Sequence, residues 1–178
     1  VGLVRALSLR VVRRKLGEQV FGWLTWSMSR SERDIQGIGT LPFLFDQTHV
    51  LNAVVSWEVG RAWTLGATFH YHTGRPYTPR TVDPCRADAT PVLTGGRQIC
   101  WGPALAGRLP DFWRLDLRVQ KREMFDTWYF DFYVDVINVT INQETVGYSL
   151  IENEQGELVQ QPEKLPIFIP MLGLRGQF

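Results

Sequence analysis

Residues 113–121 read WRLDLRVQK, and their alternation decides the fold class. In an extended chain Trp113, Leu115, Leu117 and Val119 fall on one side; Arg114, Asp116, Arg118 and Gln120 fall on the other. A strand sends successive side chains to opposite faces, so this stretch predicts a strand with one apolar and one polar face. Residues 128–138 repeat the pattern, with Trp128, Phe130, Phe132, Val134 and Val136 opposing Tyr129, Asp131, Tyr133 and Asp135. In 62–73, Trp63, Leu65, Ala67, Phe69 and Tyr71 oppose Thr64, Gly66, Thr68, His70 and His72. In 50–58, Leu51, Ala53, Val55 and Trp57 oppose Asn52, Ser56 and Glu58, with Val54 an apolar intruder.

Weaker versions flank these four. Residues 3–13 place Leu7, Leu9 and Val11 opposite Ser8 and Arg10, with Arg5 spoiling the apolar side. Residues 21–31 place Leu24, Trp26 and Met28 opposite Thr25, Ser27 and Ser29. Residues 171–178 close the series, with Leu172, Leu174, Gly176 and Phe178 on one face and Arg175 and Gln177 on the other. Pro170 has no N–H to donate and marks where full pairing begins. The connections at 15–18, 59–61 and 122–127 are short, whereas 32–48, 74–111 and 140–166 are long and hold nine of the ten prolines. Short turns at one end and long loops at the other describe an antiparallel up-and-down meander of about seven strands.

Composition bounds what such a meander can be. The 178 residues carry 19 Lys and Arg against 18 Asp and Glu, a formal charge of +1. That balance provides no basic field for nucleic acid. Hydrophobics at 44% and seven Trp exclude a disordered tail. Two cysteines exclude a disulfide-dense scaffold and a four-cysteine zinc site. No run approaches the ~18 apolar residues of a membrane helix, but a membrane strand needs only about ten residues of alternating character. The chain opens at Val1 with neither Met nor a signal peptide, so it reads as part of something longer or as a processed piece.

Two architectures fit. In a soluble β-sandwich the apolar face packs on a second sheet; in an outer-membrane barrel it meets lipid while the polar face lines a lumen. Strand length favours the barrel, since soluble strands are mostly ~5–6 residues. So do the aromatics at the ends of the apolar faces: Trp57, Trp63, Trp128 and Phe178 at the short-turn end, Tyr71 and Trp113 at the long-loop end. The apolar faces of the four middle strands are also expected to carry no charge. A hairpin at 122–127 would set Arg118 opposite Asp131 and Arg114 opposite Asp135, which with Asp116 form an ionic ladder along the polar wall. The sandwich alternative is a carbohydrate-binding module using Trp101 and Tyr77.

The chain resembles the C-terminal part of a TonB-dependent outer-membrane receptor. The stretches that carry the resemblance are FGWLTWSMSRSER (21–33), FDQTHVLN (45–52), LGATFHYHTGRPYTP (65–79), LPDFWRLDLRVQK (109–121), VDVIN (134–138) and the ending LGLRGQF. The likeness runs from about Leu7 to Phe178, and the stretches occur in the family's order. The resemblance implies a transmembrane barrel segment of about seven strands within a 22-stranded barrel, without the N-terminal plug and TonB box. It implies no enzyme activity and no cofactor. The implied location is the cell outer membrane, where the whole receptor takes up a scarce ligand such as a ferric siderophore or cobalamin. The implied partners are outer-membrane lipid, the remaining barrel and plug, TonB through the N-terminal part, and the barrel-assembly machinery. That machinery would read Leu172, Leu174, Gly176 and Phe178, where Gly176 departs from the usual apolar choice.

Few residues suggest chemistry. Cys85 and Cys100 lie in the longest loop, and a disulfide closing about 15 residues is worth ~3 kcal/mol in the chain-entropy account. Arg75, Tyr77 and Trp101 are candidate ligand contacts from the mouth. His70 and His72 share a polar face without a third metal ligand; His49 has the opposite phase. Asp131 and Asp135 lie ~13 Å apart on a strand, too far for a glycosidase pair. Asn138-Val139-Thr140 matches a glycosylation sequon that has no meaning in a bacterium.

Overall fold

A computed structural model describes residues 2–13, 19–60, 62–82, 90–94, 97–155 and 157–178. These form strands β1 (Gly2–Arg13), β2 (Val20–Ile35), β3 (Gly39–Pro42), β4 (His49–Glu58) and β5 (Trp63–His72). Short strands follow: β6 (Pro76–Tyr77), β7 (Arg80–Val82), β8 (Thr90–Thr94), β9 (Arg97–Trp101) and β10 (Gly107–Arg108). Next come β11 (Phe112–Met124), β12 (Tyr129–Ile137), β13 (Gln143–Glu152), β14 (Leu158–Pro166) and β15 (Ile169–Gln177). The described residues are all-β, and the sheets are antiparallel.

The main sheet runs β1-β2-β4-β5-β11-β12-β15, with β3 added beside β2. Its seven long strands are those read from alternation, in chain order, each antiparallel to the next. The sheet is open, since β1 and β15 pair with no further strand among the described residues. Register aligns the apolar positions into rows that cross it. One row is Leu9, Trp26, Leu51, Tyr71 and Trp113; another is Val20, Trp57, Leu65, Val119, Val134 and Leu172. On the reverse face, Arg10, Thr25, Asn52, His70 and Arg114 form one row, and Arg122, Asp131 and Arg175 another.

No layer of the described residues covers the apolar face. Leu117 and Phe132 stay about 40% exposed, and Leu174 66%. A sandwich would bury these side chains. The chain exposes 12503 Å², against the ~8,900 Å² that size scaling gives a folded soluble monomer of this mass. Buried apolar side chains among the described residues are confined to the loop end: Pro76, Cys100, Leu109 and Phe112.

Three sequence expectations need correction. First, β11 continues to Met124, and the turn is tight: Phe125 N–H donates to the Trp128 carbonyl (2.8 Å) while the two rings stack at 4.1 Å. The register therefore sits four residues from the expected one. Arg118 faces Asp135 and Arg122 faces Asp131; neither Arg118–Asp131 nor Arg114–Asp135 forms. Second, the longer strand puts Lys121 and Glu123 on the apolar side at the short-turn rim, so that face does carry charge. The two side chains pair with each other, and Lys121 lies 5.8 Å from the Trp63 ring centre. Third, the long connections have structure of their own. Residues 143–166 form the β13–β14 hairpin, 76–108 carry two small sheets, and β2 extends through Ile35 to pair with β3. The hairpin turn forms because Asn153 Oδ1 accepts from the N–H groups of Gln155 (3.1 Å) and Glu157 (2.7 Å).

Candidate functional site

The strands deliver two polar regions, a charged wall and a cleft among the loops. The wall is the reverse face of the sheet. Arg122 grips Asp131 with two parallel hydrogen bonds of 2.7 and 2.9 Å, and Arg175 lies directly opposite Asp131 on β15. That fork matches carboxylate geometry and leaves Asp131 buried. Arg118 reaches Asp135 at 3.2 Å and lies 4.1 Å over the Tyr133 ring. Tyr133 in turn lies flat on Gly173, where an added Cβ would come within 2.0 Å of the ring. Higher on the wall, His70 meets Asn52 at 2.6 Å, and Asp116 lies 3.5 Å from both His70 Nε2 and Arg114 Nε. His72 bonds Gln47 at 2.9 Å and lies 3.6 Å from Glu144 on β13. Each of these groups has an opposite or neutral partner, so this part of the wall reads as a stiff polar lining. No group of three His, Cys, Asp or Glu among the described residues is arranged to hold a metal.

The loop end is stapled at three points. Asp46, buried, accepts from Ser31 N–H (2.7 Å) and from Arg108 (2.6 Å), and Arg108 also donates to the carbonyls of Asp46 and Gly74. Gly74 passes so close to Leu109 that a Cβ would fall 1.6 Å from its carbonyl oxygen. Asp111 ties the same stem, accepting from Gly74 N–H and Tyr71 OH. Asn138, fully buried at φ 57°, is the third staple. Its amide donates to the carbonyls of Asn142 (2.7 Å) and Ile167 (2.6 Å), its N–H donates to Asp116, and its oxygen accepts from Thr140 and Asn142. The left-handed conformation suits asparagine. The sequon therefore marks a knot joining β11, β12 and the approach to β15.

Between these stems lies an open cleft of ≈380 Å³. Tyr77, Arg80, Trp101, Tyr148, Gln160 and Glu163 contribute its polar and aromatic surface. The rings of Tyr77 and Tyr148 lie 5.1 Å apart, and the Arg80 guanidinium lies 5.1 Å over the indole of Trp101. Arg80 also donates to the Tyr148 carbonyl, and Gln160 donates to the Arg80 carbonyl, so the β13–β14 hairpin is fastened to β7. Burial, with Tyr148 adding to it, raises the Tyr77 hydroxyl above the ordinary phenol range and keeps it a donor at neutral pH.

Of the expected contact residues, the structure brings Tyr77 and Trp101 into this cleft. Arg75 lies outside it, 5.8 Å from the Phe45 ring centre. Cys100 is completely buried and disulfide-bonded; Cys85 lies outside the described residues. Leu172, Leu174 and Gly176 line the outer strand, and Phe178 stacks on Trp128 at 5.6 Å. A Cβ on Gly176 would make only ordinary contact with Phe178, so nothing in the structure demands glycine there. Arg80, Tyr148, Gln160 and Glu163 are not among the residues that the sequence pattern singles out. A polar Asn-x-x-Gly turn between two strand-like runs, at 153–156, is the legible sign of the hairpin that supplies three of them. No family model, curated protein or solved structure matches the chain.

Proposed function

We propose that the chain is barrel wall and outer loops of a TonB-dependent outer-membrane receptor. One observation carries this reading: seven long strands in meander order present a single apolar face that nothing in the described chain covers. In water that face is a large uncompensated cost at ~25 cal/mol per Å². Against hydrocarbon it costs nothing. The apolar run of β2 from Val20 to Met28 covers eight residue steps, about 26 Å along the strand. That matches the ~25 Å apolar band of outer-membrane barrels once tilt and the flanking aromatic rows are included.

Open edges in lipid leave backbone groups unpaired. Further strands beside β1 and β15 would therefore complete the cylinder around the charged wall. The short turns would face the periplasm and the cleft the exterior. The chain supplies no reacting group in this reading; energy coupling through TonB and the plug belongs to the rest of the receptor. The last strand, ending on Phe178, would be the segment handed to the barrel-assembly machinery.

Nitroxide scanning of positions 113–121 in the full-length protein, reconstituted in lipid vesicles, tests this. Labels at 113, 115, 117 and 119 should be exposed to lipid-dissolved oxygen, and those at 114, 116 and 118 should not. If the odd positions are shielded from both oxygen and an aqueous nickel reagent, the apolar face is a protein core and the reading fails.

A further inference from the structure

The loop cleft carries one further assignment. Its surface combines aromatic rings with hydrogen-bonding groups that have no partner among the described residues. The hydroxyls of Tyr77 and Tyr148, the indole N–H of Trp101 and the Glu163 carboxylate are all unbonded there, though they line one cleft. The one cation among the described residues lining it, Arg80, is committed: it lies over one side of the Trp101 indole and donates to the Tyr148 carbonyl.

The charge balance selects the ligand class. Arg80 and Glu163 sum to zero, so the cleft offers no field to a multiply charged chelate or a phosphate. A cationic ligand would be repelled by Arg80, which lies over one side of Trp101; the indole is still 39% exposed, which leaves it open to a neutral ring. What remains is a neutral molecule with an apolar face for the rings and hydroxyls for the tyrosines and Glu163. Sugar rings have that construction. A volume of ≈380 Å³ lies at the small end of ligand sites and admits roughly one or two such rings.

We propose that this cleft binds the end of a neutral saccharide, with Trp101, Tyr77 and Tyr148 as the stacking surface and Glu163 and Gln160 as hydroxyl partners. The proposal deepens the receptor reading by naming what its mouth takes, and it rests on that reading only for the cleft's outward position. The arrangement is prebuilt. Gly107 lies against the Tyr77 ring, where a Cβ would come within 2.6 Å, and Gln160 holds β7 from the hairpin side. Little ordering cost is left for binding.

The test is titration calorimetry on the full-length protein in an amine-oxide detergent, because glycoside detergents would compete. The probes are maltose and cellobiose as neutral sugars, glucosamine as a cation, galacturonate as an anion, and ferric citrate. At least one neutral disaccharide should bind with a dissociation constant at or below the millimolar range and ten-fold or more tightly than the charged probes. Trp101→Ala should weaken it at least ten-fold and Glu163→Gln three- to ten-fold, with Tyr148→Phe as a milder variant if Trp101→Ala does not fold. Binding of ferric citrate or a charged sugar in preference, no binding of either disaccharide, or an unchanged affinity in folded Trp101→Ala would overturn the proposal. Nitroxide scanning reads the receptor assignment separately. Shielded odd positions with intact sugar binding would remove the membrane reading and leave the cleft; the converse result would remove the cleft alone.

Discussion

Gly173→Ala examines a close contact between the last strand and its neighbour. Tyr133 of β12 lies across Gly173 of β15, and a methyl group there would sit 2.0 to 2.4 Å from three atoms of the tyrosine. Such distances cannot be absorbed in place, so the ring must leave. Leaving is costly because Arg118 lies 4.1 Å above the ring and is itself tied to Asp135 at 3.2 Å. Overpacking costs about 1–3 kcal/mol, and losing an exposed guanidinium–ring contact adds ~0.5–1 kcal/mol. We expect a total of about 1.5–4 kcal/mol, read as a lowered urea midpoint of the full-length protein in lipid vesicles. The cause is checked by a double-mutant cycle. With Tyr133→Ala in place, Gly173→Ala should cost no more than about 0.5 kcal/mol, because the obstructing ring is gone. A substitution as harmful in the Tyr133→Ala background as in the parent protein, or harmless in both, would refute the reasoning.

Further expectations concern the face, the staples and the disulfide. Leu117→Arg, at the middle of β11, should cost about 2–4 kcal/mol in vesicles, whereas Thr68→Arg on the reverse face should cost under about 1 kcal/mol; equal costs in the same unfolding assay would contradict the assignment of faces. Asn138→Ala removes a fully buried amide bonded to two carbonyls and forces alanine into the left-handed region. Destabilisation by about 3 kcal/mol or more is expected, and a loss under about 1 kcal/mol would show that the knot does not matter. Asp46→Ala should cost about 2 kcal/mol, at the low end for a buried pair because Arg108 is 43% exposed and can rehydrate. Protease should then cut first within 74–111. Reduction of the disulfide at Cys100 should likewise increase proteolysis in that loop and leave the unfolding midpoint of the main sheet unchanged.

How far the residues can be read depends on the range of the physics involved. Alternation is local: each side chain's face follows from its own position, and lipid or a core demands the same sign along a whole strand. That is why Trp113 to Val119 and Phe130 to Val136 identify their strands, order and faces without coordinates. Register is not local. Whether Arg118 meets Asp131 or Asp135 depends on how many residues the turn uses. The stacked pair of Phe125 and Trp128 makes it tight and moves every pairing by four. The hairpin at 143–166 escapes a local reading because its charged, proline-bearing second strand looks like a loop when no sheet is present to receive it.

The sequence by itself determined an all-β meander with one oily side and a polar side rich in charges of both signs, because those properties are set residue by residue. Only the tertiary structure decided which charges meet, that Asp46 and Asn138 are buried among hydrogen-bond partners while Gly173 lies under a tyrosine ring, and that Trp101 and Tyr148, 47 positions apart in the chain, share one cleft. Those outcomes depend on turns, close backbone approach and chain crossings, none of which is encoded in the order of neighbouring residues.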